Sequence, residues 1–412
     1  MDKLLVVGAG IGQVPLVKRA KALGVYVIVV TRAGDYPAIF LADEAWYIDI
    51  YDYEAIVEKA RVSGVTAVIS DQNDLMMPTV AYVAEALGLP GNSQRATLSY
   101  CNKNKFREIC DKEGVPAPRH VELRSSGVSY SELPFEVPLM VKPADSQSSI
   151  AVCKVCSFDE FEKALDAALE ASPTGSAIVE EFFEGTEVVC EGFVDDGRYR
   201  NLAIGDRKYF DLGERTMIPS QTLFPSNLSR EVAARIIDCE ERLTAAIGAS
   251  FGIVHSEYLV NGDGDICVVE SAIRGGGVYI SSHIVPLATG VDVNALLLDK
   301  ALGRQVDVES AFNAGRPGAA GYVCFYLPEG VVEECCGIEE LVELPFVDMA
   351  CLNDLTVGRK TGPMTYKGQR LGPVIVTGSD RANLDRNVQE VQSILSVIVR
   401  TSEGAMEGLR WA

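Results

Sequence analysis

Two short stretches, IVHSEYL at residues 253–259 and ICVVE at residues 266–270, carry the clearest signal of the fold. Between them lies NGDGD at residues 261–265, a cluster of residues that favour tight turns. The two apolar runs and the turn together predict a β-hairpin. Each predicted strand carries one glutamate among apolar neighbours, Glu257 on the first and Glu270 on the second.

These two glutamates need a partner, because a carboxylate among apolar side chains costs free energy unless a cation or a hydrogen-bond donor satisfies it. Two carboxylates on adjacent strands also repel each other, which raises their pKa values. A Mg²⁺ ion that carries nucleotide phosphates would relieve both costs, since Mg²⁺ prefers one or two carboxylates together with phosphate oxygens. The alternative is an edge hairpin whose two acids both face solvent.

The composition is that of a globular protein with more than one domain. A chain of 412 residues exceeds a single ordinary core and predicts two or three domains. It is 48% hydrophobic and 23% charged, and no apolar stretch approaches the roughly 20 residues that span a bilayer. The net charge of −21 argues against a nucleic-acid partner, which would require clustered lysines and arginines.

The cysteines and the first residues of the chain indicate a cytoplasmic location. The chain opens directly on an apolar strand, without the features of a signal peptide. Eleven cysteines in such a chain are expected to be reduced and mostly buried.

The first ninety-odd residues alternate strands and helices. Strands are predicted at residues 3–7, 25–31 and 65–70, and helices at residues 14–23, 52–63 and 75–87. That alternation is typical of a parallel sheet with helices on both faces, and we assign residues 1–96 to this first domain.

A glycine-rich loop follows the first predicted strand. Gly8, Gly10 and Gly12 lie where the strand turns into a helix, which is typical of a dinucleotide-binding loop. The next expected glycine is replaced by Gln13, and the second strand ends at Arg32 rather than at an acidic residue that would hold a ribose. We therefore disfavour a nicotinamide oxidoreductase. The glycines are expected to form a tight turn or to present amides to a substrate anion.

The remainder of the chain has an antiparallel, α+β pattern. Helices are predicted at residues 97–113, from a capping box at 157–160 to residue 171, and at 229–247. Strands are predicted at residues 138–142, 176–181, 187–194 and 199–204, before the hairpin. The composition changes again after Gly303, and the final region is expected to end in a helix at 383–399.

Three polar groups in the middle region are candidates for ligand contacts. Lys103 lies on the helix that precedes a Gly-Val-Pro segment. Lys142 ends an apolar strand and precedes DSQSSI at residues 145–150, a loop of small polar residues that can fold amides and hydroxyls over a phosphate. Another apolar strand runs into EEFFEGTE at residues 180–187. For each group the alternative is an ordinary solvated surface.

Taken in their order along the chain, these features resemble the ATP-grasp superfamily, and the resemblance covers nearly the whole sequence. Within the superfamily the layout resembles the carboxylate–amine ligases, which include L-amino-acid ligases, biotin carboxylases, carbamoyl-phosphate synthetases and glycinamide-ribonucleotide synthetases. The resemblance implies a Rossmann-like N-terminal domain (1–96), an ATP-grasp domain (97–305) and a smaller C-terminal α+β domain (306–412). It also implies a homodimer.

The resemblance gives nucleotide contacts to the residues that match by position. Lys103 and Lys142 would contact the phosphates of ATP. The loop above the phosphates would contribute three serines, Ser146, Ser148 and Ser149. The adenine pocket would be lined by Glu180, Glu181, Phe182 and Phe183, and the ribose would be held by Glu187.

The resemblance also gives metal-binding and catalytic roles. Glu257 and Glu270 would bind Mg²⁺, or Mn²⁺ in its place, and Lys142 and Arg274 would be catalytic. Arg274 matches the arginine of the family's E-x-N-x-R motif, where a planar bidentate donor suits an acyl phosphate or a carboxylate. Ala272 stands where the family usually has a metal-ligating asparagine, which leaves open whether one or two Mg²⁺ ions bind.

The implied activity is ATP-dependent ligation. A small carboxylate, such as an amino acid, would be activated as an acyl phosphate and joined to an amine, with release of ADP and phosphate. The alternatives are a ribonucleotide synthetase or carboxylase of the same superfamily, and a non-catalytic ATP-binding protein. Glu214 and Arg215, in a substrate loop at 211–220, would meet the two ends of an amino acid. His255 is expected to be packed and hydrogen-bonded on the face of the strand that carries Glu257.

Overall fold

The computed structural model of the protein describes residues 2–146, 150–213 and 218–411. The N-terminal region forms a parallel four-stranded sheet in the order β3-β2-β1-β4, which confirms the predicted architecture. Its strands are β1 (Lys3–Val7), β2 (Tyr26–Thr31), β3 (Glu44–Tyr47) and β4 (Ala67–Ile69). Its helices are α1 (Val14–Ala22), α2 (Tyr53–Ser63) and α3 (Met77–Leu87). Alternate residues of β1 enter two separate cores, one beneath α1 and one beneath α2 and α3.

The prediction of one continuous helix at residues 97–113 is wrong. Two helices, α4 (Gln94–Cys101) and α5 (Lys103–Glu113), meet at Asn102. Asn102 is extended, and its side chain accepts a hydrogen bond from the Lys105 amide at 3.1 Å. An asparagine that caps a helix in this way starts a new helix rather than continuing the old one. The Lys103 amide donates to the Ala144 carbonyl at 2.7 Å, which fixes the start of α5 beside the loop after Lys142.

A second, antiparallel sheet has the order β5-β8-β6-β7. Its strands are β5 (His120–Leu123), β6 (Leu139–Pro143), β7 (Cys153–Val155) and β8 (Ala177–Glu181), and α6 (Phe158–Ala171) covers one face. The predicted capping box is wrong in detail, because the Ser157 hydroxyl does not cap α6. Glu160 accepts instead from the Cys156 amide at 3.2 Å, so an acid one turn into the helix holds its start.

The large sheet of the molecule begins where the small sheet ends. It contains β9 (Thr186–Asp195), β10 (Arg198–Tyr209), β11 (Pro219–Phe224), β12 (Phe251–Val260) and β13 (Ile266–Ala272). The helix α7 (Arg230–Ile247) packs on one face. The strands β12 and β13 are antiparallel neighbours joined by the NGDGD turn, which confirms the predicted hairpin.

The C-terminal region extends the large sheet with three strands and also builds a small four-stranded sheet of its own. The helices α8 (Val285–Thr289) and α9 (Val293–Ala301) lead into this region, whose own helices are α10 (Val308–Ala314), α11 (Ile338–Val342) and α12 (Arg381–Ile394). Its strands are β14 (Ala319–Phe325), β15 (Gly330–Cys336), β16 (Val347–Ala350), β17 (Lys360–Thr361), β18 (Leu371–Gly378), β19 (Ser396–Thr401) and β20 (Met406–Gly408). The eight-stranded sheet runs β13-β12-β9-β10-β11-β14-β18-β16, and the order of the remaining small sheet is β17-β15-β19-β20.

The last predicted helix, at residues 383–399, is wrong at its C-terminal end. The helix α12 ends at Ile394, and the next residues form β19, which pairs antiparallel with β15. The segment SVIVRT is rich in β-branched residues, whose side chains pack more easily on a sheet than on a helix. Leu395 is already extended, so the helix stops where the β-branched run begins.

Within the described ranges, no helix, the 18-residue α7 included, has both the length and the apolar character needed to cross a membrane.

The helix α7 carries an acid that the fold buries completely. Glu240 lies on the inner face of α7, where the Tyr258 hydroxyl donates to Glu240 Oε1 at 2.6 Å. Burial raises the pKa of Glu240 to about 7, so the folded protein favours the neutral acid.

The raised pKa of Glu240 should make the free energy of unfolding depend on pH. The folded pKa lies above the ordinary value of 4.5, so the stabilisation is complete below about pH 4.5 and is lost as the pH rises through about 7. We expect Glu240→Gln to remove most of this dependence and to raise the free energy of unfolding at pH 8 by about 2 kcal/mol. Urea unfolding at pH 5 and pH 8 measures both effects. Glu241→Gln, which changes the exposed neighbouring acid, is the matched control.

Candidate active site

The two acids of the hairpin lie directly opposite each other. Glu257 and Glu270 are partners in the β12–β13 register, beside a bulge that follows Glu257. Arg207 donates to the Glu257 carboxylate, and Lys103 Nζ lies 3.6 Å from Glu270 Oε2. The Glu257 side chain is only 18% exposed, so this acid does not fit the alternative of two solvent-facing carboxylates.

The two predicted phosphate lysines lie in different surroundings. Lys103, at the first turn of α5, donates from Nζ to the Ser146 carbonyl at 3.1 Å. Lys142 is buried near the end of β6 and donates to Glu180 Oε2 at 2.5 Å. Of the three serines predicted above the phosphates, Ser146 is described here, whereas Ser148 and Ser149 lie outside the described residues.

Glu180 lies at the centre of a buried ion cluster. Its carboxylate accepts from Arg107 Nε at 2.7 Å and from Lys142, and all three side chains are less than 10% exposed. Burial alone would raise the pKa of Glu180, but the charges of Arg107 and Lys142 outweigh it and hold the value at about 2. In the structure this carboxylate fixes the position of Lys142, and a contact with adenine stays a prediction.

The segment after Glu180 connects the small sheet to the large one. Glu181 is paired with Arg119 on the surface, through two hydrogen bonds of 2.9 and 2.8 Å. Phe182 packs beneath Lys154, whose Nζ lies 4.4 Å from the ring centre, and Phe183 is half-buried. Phe182 and Phe183 are therefore partly buried on the segment that connects the two sheets, and their place in an adenine pocket stays a prediction.

Glu187, at the start of the large sheet, lines a cavity of about 360 Å³ together with Arg207, Tyr209 and Leu259. Glu187 accepts hydrogen bonds from Arg207 Nη1 at 2.8 Å and from the Tyr209 hydroxyl. Burial and the charge of Glu257 raise the pKa of Glu187 to about 7, against the opposing effect of Arg207. A cavity of this size, with an acid and an arginine in its lining, suits the sugar of a nucleotide.

Arg274 is held by the N-terminal region. Its Nε and Nη2 donate to the two oxygens of Asp74 at 3.0 and 2.8 Å. The neighbouring Asp71 is buried and accepts from the Gly275 amide and the Ser281 hydroxyl, both at 2.8 Å. Asp71 and Asp74 lie in the segment SDQND at residues 70–74, which follows the carboxyl end of the strand β4. Ligands of parallel sheets commonly bind at the carboxyl ends of the strands. The sequence analysis missed Asp71 and Asp74, although their position after a buried strand was a usable signal.

The Gln13 side chain connects two loops of the N-terminal region. Its amide oxygen accepts from the Gly10 amide at 3.0 Å, and its amide nitrogen donates to the Asp71 carbonyl at 2.7 Å. The residue that breaks the dinucleotide fingerprint therefore ties the glycine loop to the segment that holds Arg274. This supports the expectation that the glycines shape a turn.

The backbone after Arg274 is strained. Val278 and Tyr279 both have positive φ angles, 57° and 61°, and a short π-helix at Ile280–Ile284 follows. A β-branched residue in the left-handed region is uncommon, and such strain and π-turns concentrate at functional sites. A Cβ atom at Gly276 would lie 2.4 Å from Glu191 Oε1, so this position requires glycine.

His255 is packed and hydrogen-bonded, as predicted. It is buried, and its Nδ1 is hydrogen-bonded to the fully buried Glu191, while Nε2 lies 3.5 Å from Glu257 Oε1. Burial lowers the pKa of His255, but the charge of Glu191 outweighs it and raises the pKa above its ordinary value. The histidine therefore links the buried Glu191 to the acid pair.

The C-terminal region also reaches the acid pair. Lys367, in a short helical turn at Lys367–Gln369, lies within the electrostatic range of Glu257 and Glu270. Burial lowers the pKa of Lys367 more than these two acids raise it. Arg370 donates to the Pro219 carbonyl at 2.8 Å, which anchors this turn over the sheet. No local pattern marked Lys367, because its position depends on contacts between distant segments. Glu214 and Arg215 lie outside the described residues.

The donor set at the acid pair fits a hard divalent cation that brings other ligands with it. Across the described ranges, no group of three or more His, Cys, Asp or Glu residues could hold a metal. The hairpin supplies two facing carboxylates, and Ala272 adds no ligand. Two carboxylates completed by phosphate oxygens and water are the usual surroundings of Mg²⁺.

Comparison with known proteins identifies the middle of the chain. Residues 135–282 match the model of the ATP-grasp domain. The alanine–anticapsin ligase of Bacillus subtilis is 28% identical over 271 residues, which is 60% of this chain and 56% of the relative. The D-alanine–D-alanine ligase of Oleidesulfovibrio alaskensis is 28% identical over 198 residues, which is 46% of this chain and 62% of the relative. The match therefore spans less than two thirds of either relative.

Solved structures share the fold over almost the whole chain. The L-amino acid ligase from Bacillus licheniformis superposes with a TM-score of 0.80 at 23% identity, covering 97% of this chain and 99% of that one. The phosphoribosylglycinamide synthetase from Anaerococcus prevotii gives a TM-score of 0.77 at 18% identity, with the same coverage. These likenesses confirm the predicted fold class.

Proposed function

We propose that this chain, which contains an ATP-grasp domain at residues 135–282, is an ATP-dependent carbon–nitrogen ligase. It would activate a small carboxylate as an acyl phosphate and join it to an amine, with release of ADP and phosphate. The observation that carries the proposal is the facing pair Glu257 and Glu270, which lies within reach of Lys103 and Arg207. Amino acids are the substrate class that we infer, because the sequence relatives are named as alanine–anticapsin and D-alanine–D-alanine ligases.

The residues of the site divide the work of phosphoryl transfer, which depends on positioning and charge neutralisation. Lys103 and Lys142 would bind ATP phosphates, and the Arg107–Glu180 pair keeps Lys142 in place. Mg²⁺ held by Glu257 and Glu270, or Mn²⁺ in its place, would neutralise the charge that develops on the phosphates. The nucleotide itself would lie between the two sheets, beside the segment that contains Phe182 and Phe183.

Arg274 would orient the carboxylate that is activated. The guanidinium is held by Asp74 and by the Gly275 carbonyl, which leaves one N–H on each of Nη1 and Nη2 to bind a carboxylate or an acyl phosphate. Its position at the carboxyl end of the N-terminal sheet supports a substrate site between the N-terminal region and the large sheet. This assignment predicts that Asp74 matters for catalysis although it need not touch ATP.

Asp74→Asn is expected to lower kcat/KM for the carboxylate substrate about 100-fold, because a misplaced binding group costs roughly this factor. The KM for ATP should change little. Steady-state kinetics with each substrate varied separately measure the two effects. Asp49→Asn, which removes an exposed partner of Arg32 in the same region, is the control. An equal loss in both variants would show that Asp74 acts only through the stability of the N-terminal region.

The proposal is tested by measuring phosphate release from ATP while amino acids and other small carboxylates are supplied in pairs. Turnover that requires a particular pair, with a product of the expected mass, would support the ligase. The screen includes a phosphorylated ribosylamine and bicarbonate. One synthetase that shares the fold is named for phosphoribosylglycinamide, and a biotin carboxylase domain that shares it was solved in complex with bicarbonate. Nucleotide binding without turnover under any condition would favour a non-catalytic ATP-binding protein and would overturn the ligase.

We infer that the protein works as a homodimer in the cytoplasm. Buried thiols such as Cys110, Cys190 and Cys239 are unpaired, which suits a reducing compartment. Size-exclusion chromatography with light scattering measures the oligomeric state, and a monomeric mass would refute the dimer.

A further inference from the structure

We propose that Arg207 is a positioning residue that occupies the Glu257 carboxylate until a nucleotide arrives, so that the protein takes up divalent metal only together with nucleotide. The inference rests on the proposed function, since it assumes that Glu257 binds metal and that Glu187 lies at the sugar of ATP. None of the roles predicted from the sequence included Arg207.

The geometry places Arg207 between two acids with different expected partners. The strands β10, β9 and β12 are neighbours in the large sheet and carry Arg207, Glu187 and Glu257 respectively. One nitrogen, Nη1, lies 2.8 Å from Glu187 Oε1 and also donates to Glu257 Oε1. A single guanidinium therefore connects the candidate sugar-binding acid to the candidate metal-binding acid.

Burial makes this contact hard to give up. The Arg207 side chain is 7% exposed, and an arginine does not lose its proton in a protein. A buried charge without a partner costs several times more than a paired one. A metal ion that approaches the nucleotide-free protein must therefore compete with Arg207 for Glu257, and a guanidinium that gives up this acid keeps only Glu187 as its partner.

Nucleotide changes this balance. The phosphates give the guanidinium an alternative anion, to which arginine donates in bidentate geometry. The same exchange is available to Lys103, which lies 3.6 Å from Glu270, the other candidate metal ligand. Each acid of the pair thus carries a protein cation that phosphates can attract away. Metal and nucleotide then strengthen each other's binding, and the effect is reciprocal by linkage.

Lys142 serves as an internal comparison. Its partner Glu180 is paired with Arg107 as well and does not belong to the acid pair, so Lys142 can bind phosphate without releasing a metal ligand. Exchange of partners is therefore expected at Arg207 and Lys103 and not at Lys142.

The test is a Mn²⁺ titration of the nucleotide-free protein followed by electron paramagnetic resonance, which reports binding without turnover. We expect wild type to bind Mn²⁺ weakly and Arg207→Met to bind it about tenfold more tightly, because the competing cation is gone. Arg207→Lys, which retains the charge, should stay close to wild type. The control is Arg200→Met, which removes a cation from the same strand whose partner is Glu309, and it should have no effect.

The second arm repeats the titration with ADP. Mn²⁺ and ADP should bind wild type together, and Arg207→Met should weaken ADP binding about tenfold, because Glu187 loses its anchor. If nucleotide-free wild type binds Mn²⁺ as tightly as Arg207→Met, the inference is overturned while the ligase proposal stands. If wild type binds no ADP at all, the proposed function itself fails. If Arg207→Met does not fold, Arg207→Gln replaces it, and tight Mn²⁺ binding to nucleotide-free wild type alone still refutes the inference.

Discussion

Replacing Glu270 by glutamine should reduce ATP turnover on the order of 1000-fold, since it removes a charge that would hold the metal at the site of phosphoryl transfer. Glu270 is the better choice for this test because its side chain is 39% exposed, so the fold should tolerate the change. Glu257→Gln would instead release the buried Arg207 and disturb its neighbours. Phosphate release under saturating substrates measures the loss.

A structural explanation of the same loss is excluded by two comparisons. Glu162→Gln changes an exposed acid on α6 and should keep full turnover. Calorimetry without divalent metal should show that Glu270→Gln still binds ADP, because the lysines that would contact the phosphates are intact. Turnover within a few-fold of wild type would show that the acid pair does not bind the metal.

Glu180→Ala should be the most destabilising single change at the site, lowering the free energy of unfolding by about 3–5 kcal/mol. The substitution leaves Arg107 and Lys142 buried without their common partner. Glu181→Ala, one residue along the same strand, removes an exposed pair with Arg119 and should cost less than about 1 kcal/mol. Urea unfolding of the two variants against wild type measures both values.

The effect of Glu180 should also depend on pH. Its folded pKa of about 2 lies below the ordinary value of 4.5, so its stabilisation is complete above about pH 4.5 and is lost as the pH falls toward 2. The difference between wild type and Glu180→Ala is therefore expected to shrink across that window. A difference that is constant down to the acid transition would mean that packing, rather than charge, accounts for the loss.

The sequence predicted most of the fold because its strongest signals are local. Two apolar runs around a turn predict the hairpin. In the structure, the pairing of its two strands sets Glu257 opposite Glu270. The errors also had local causes that were weighed wrongly. Asn102 could have been recognised as a helix cap, and the β-branched run that forms β19 could have been recognised as a strand.

The candidate site was less predictable, because several of its contacts join segments that are far apart in the chain. Asp74 meets Arg274 across 200 positions, and Arg207 meets Glu257 across 50. A pattern of residue types shows which side chains are able to carry charge. It does not show which acid will neutralise which base once the sheets have formed. The neighbours Glu180 and Glu181 differ in this respect, because Glu180 pairs with two buried cations and Glu181 pairs with one exposed cation.

The large sheet has a consequence for any attempt to shorten the protein. The strand β14 is hydrogen-bonded to β11 in the same layer that carries the acid pair. A chain cut after residue 305 would therefore leave β11 as an exposed edge strand with unpaired amides and carbonyls. A strand from another molecule could then pair with it. That part of the chain would then be prone to aggregate, so the C-terminal segment protects the large sheet as well as completing it.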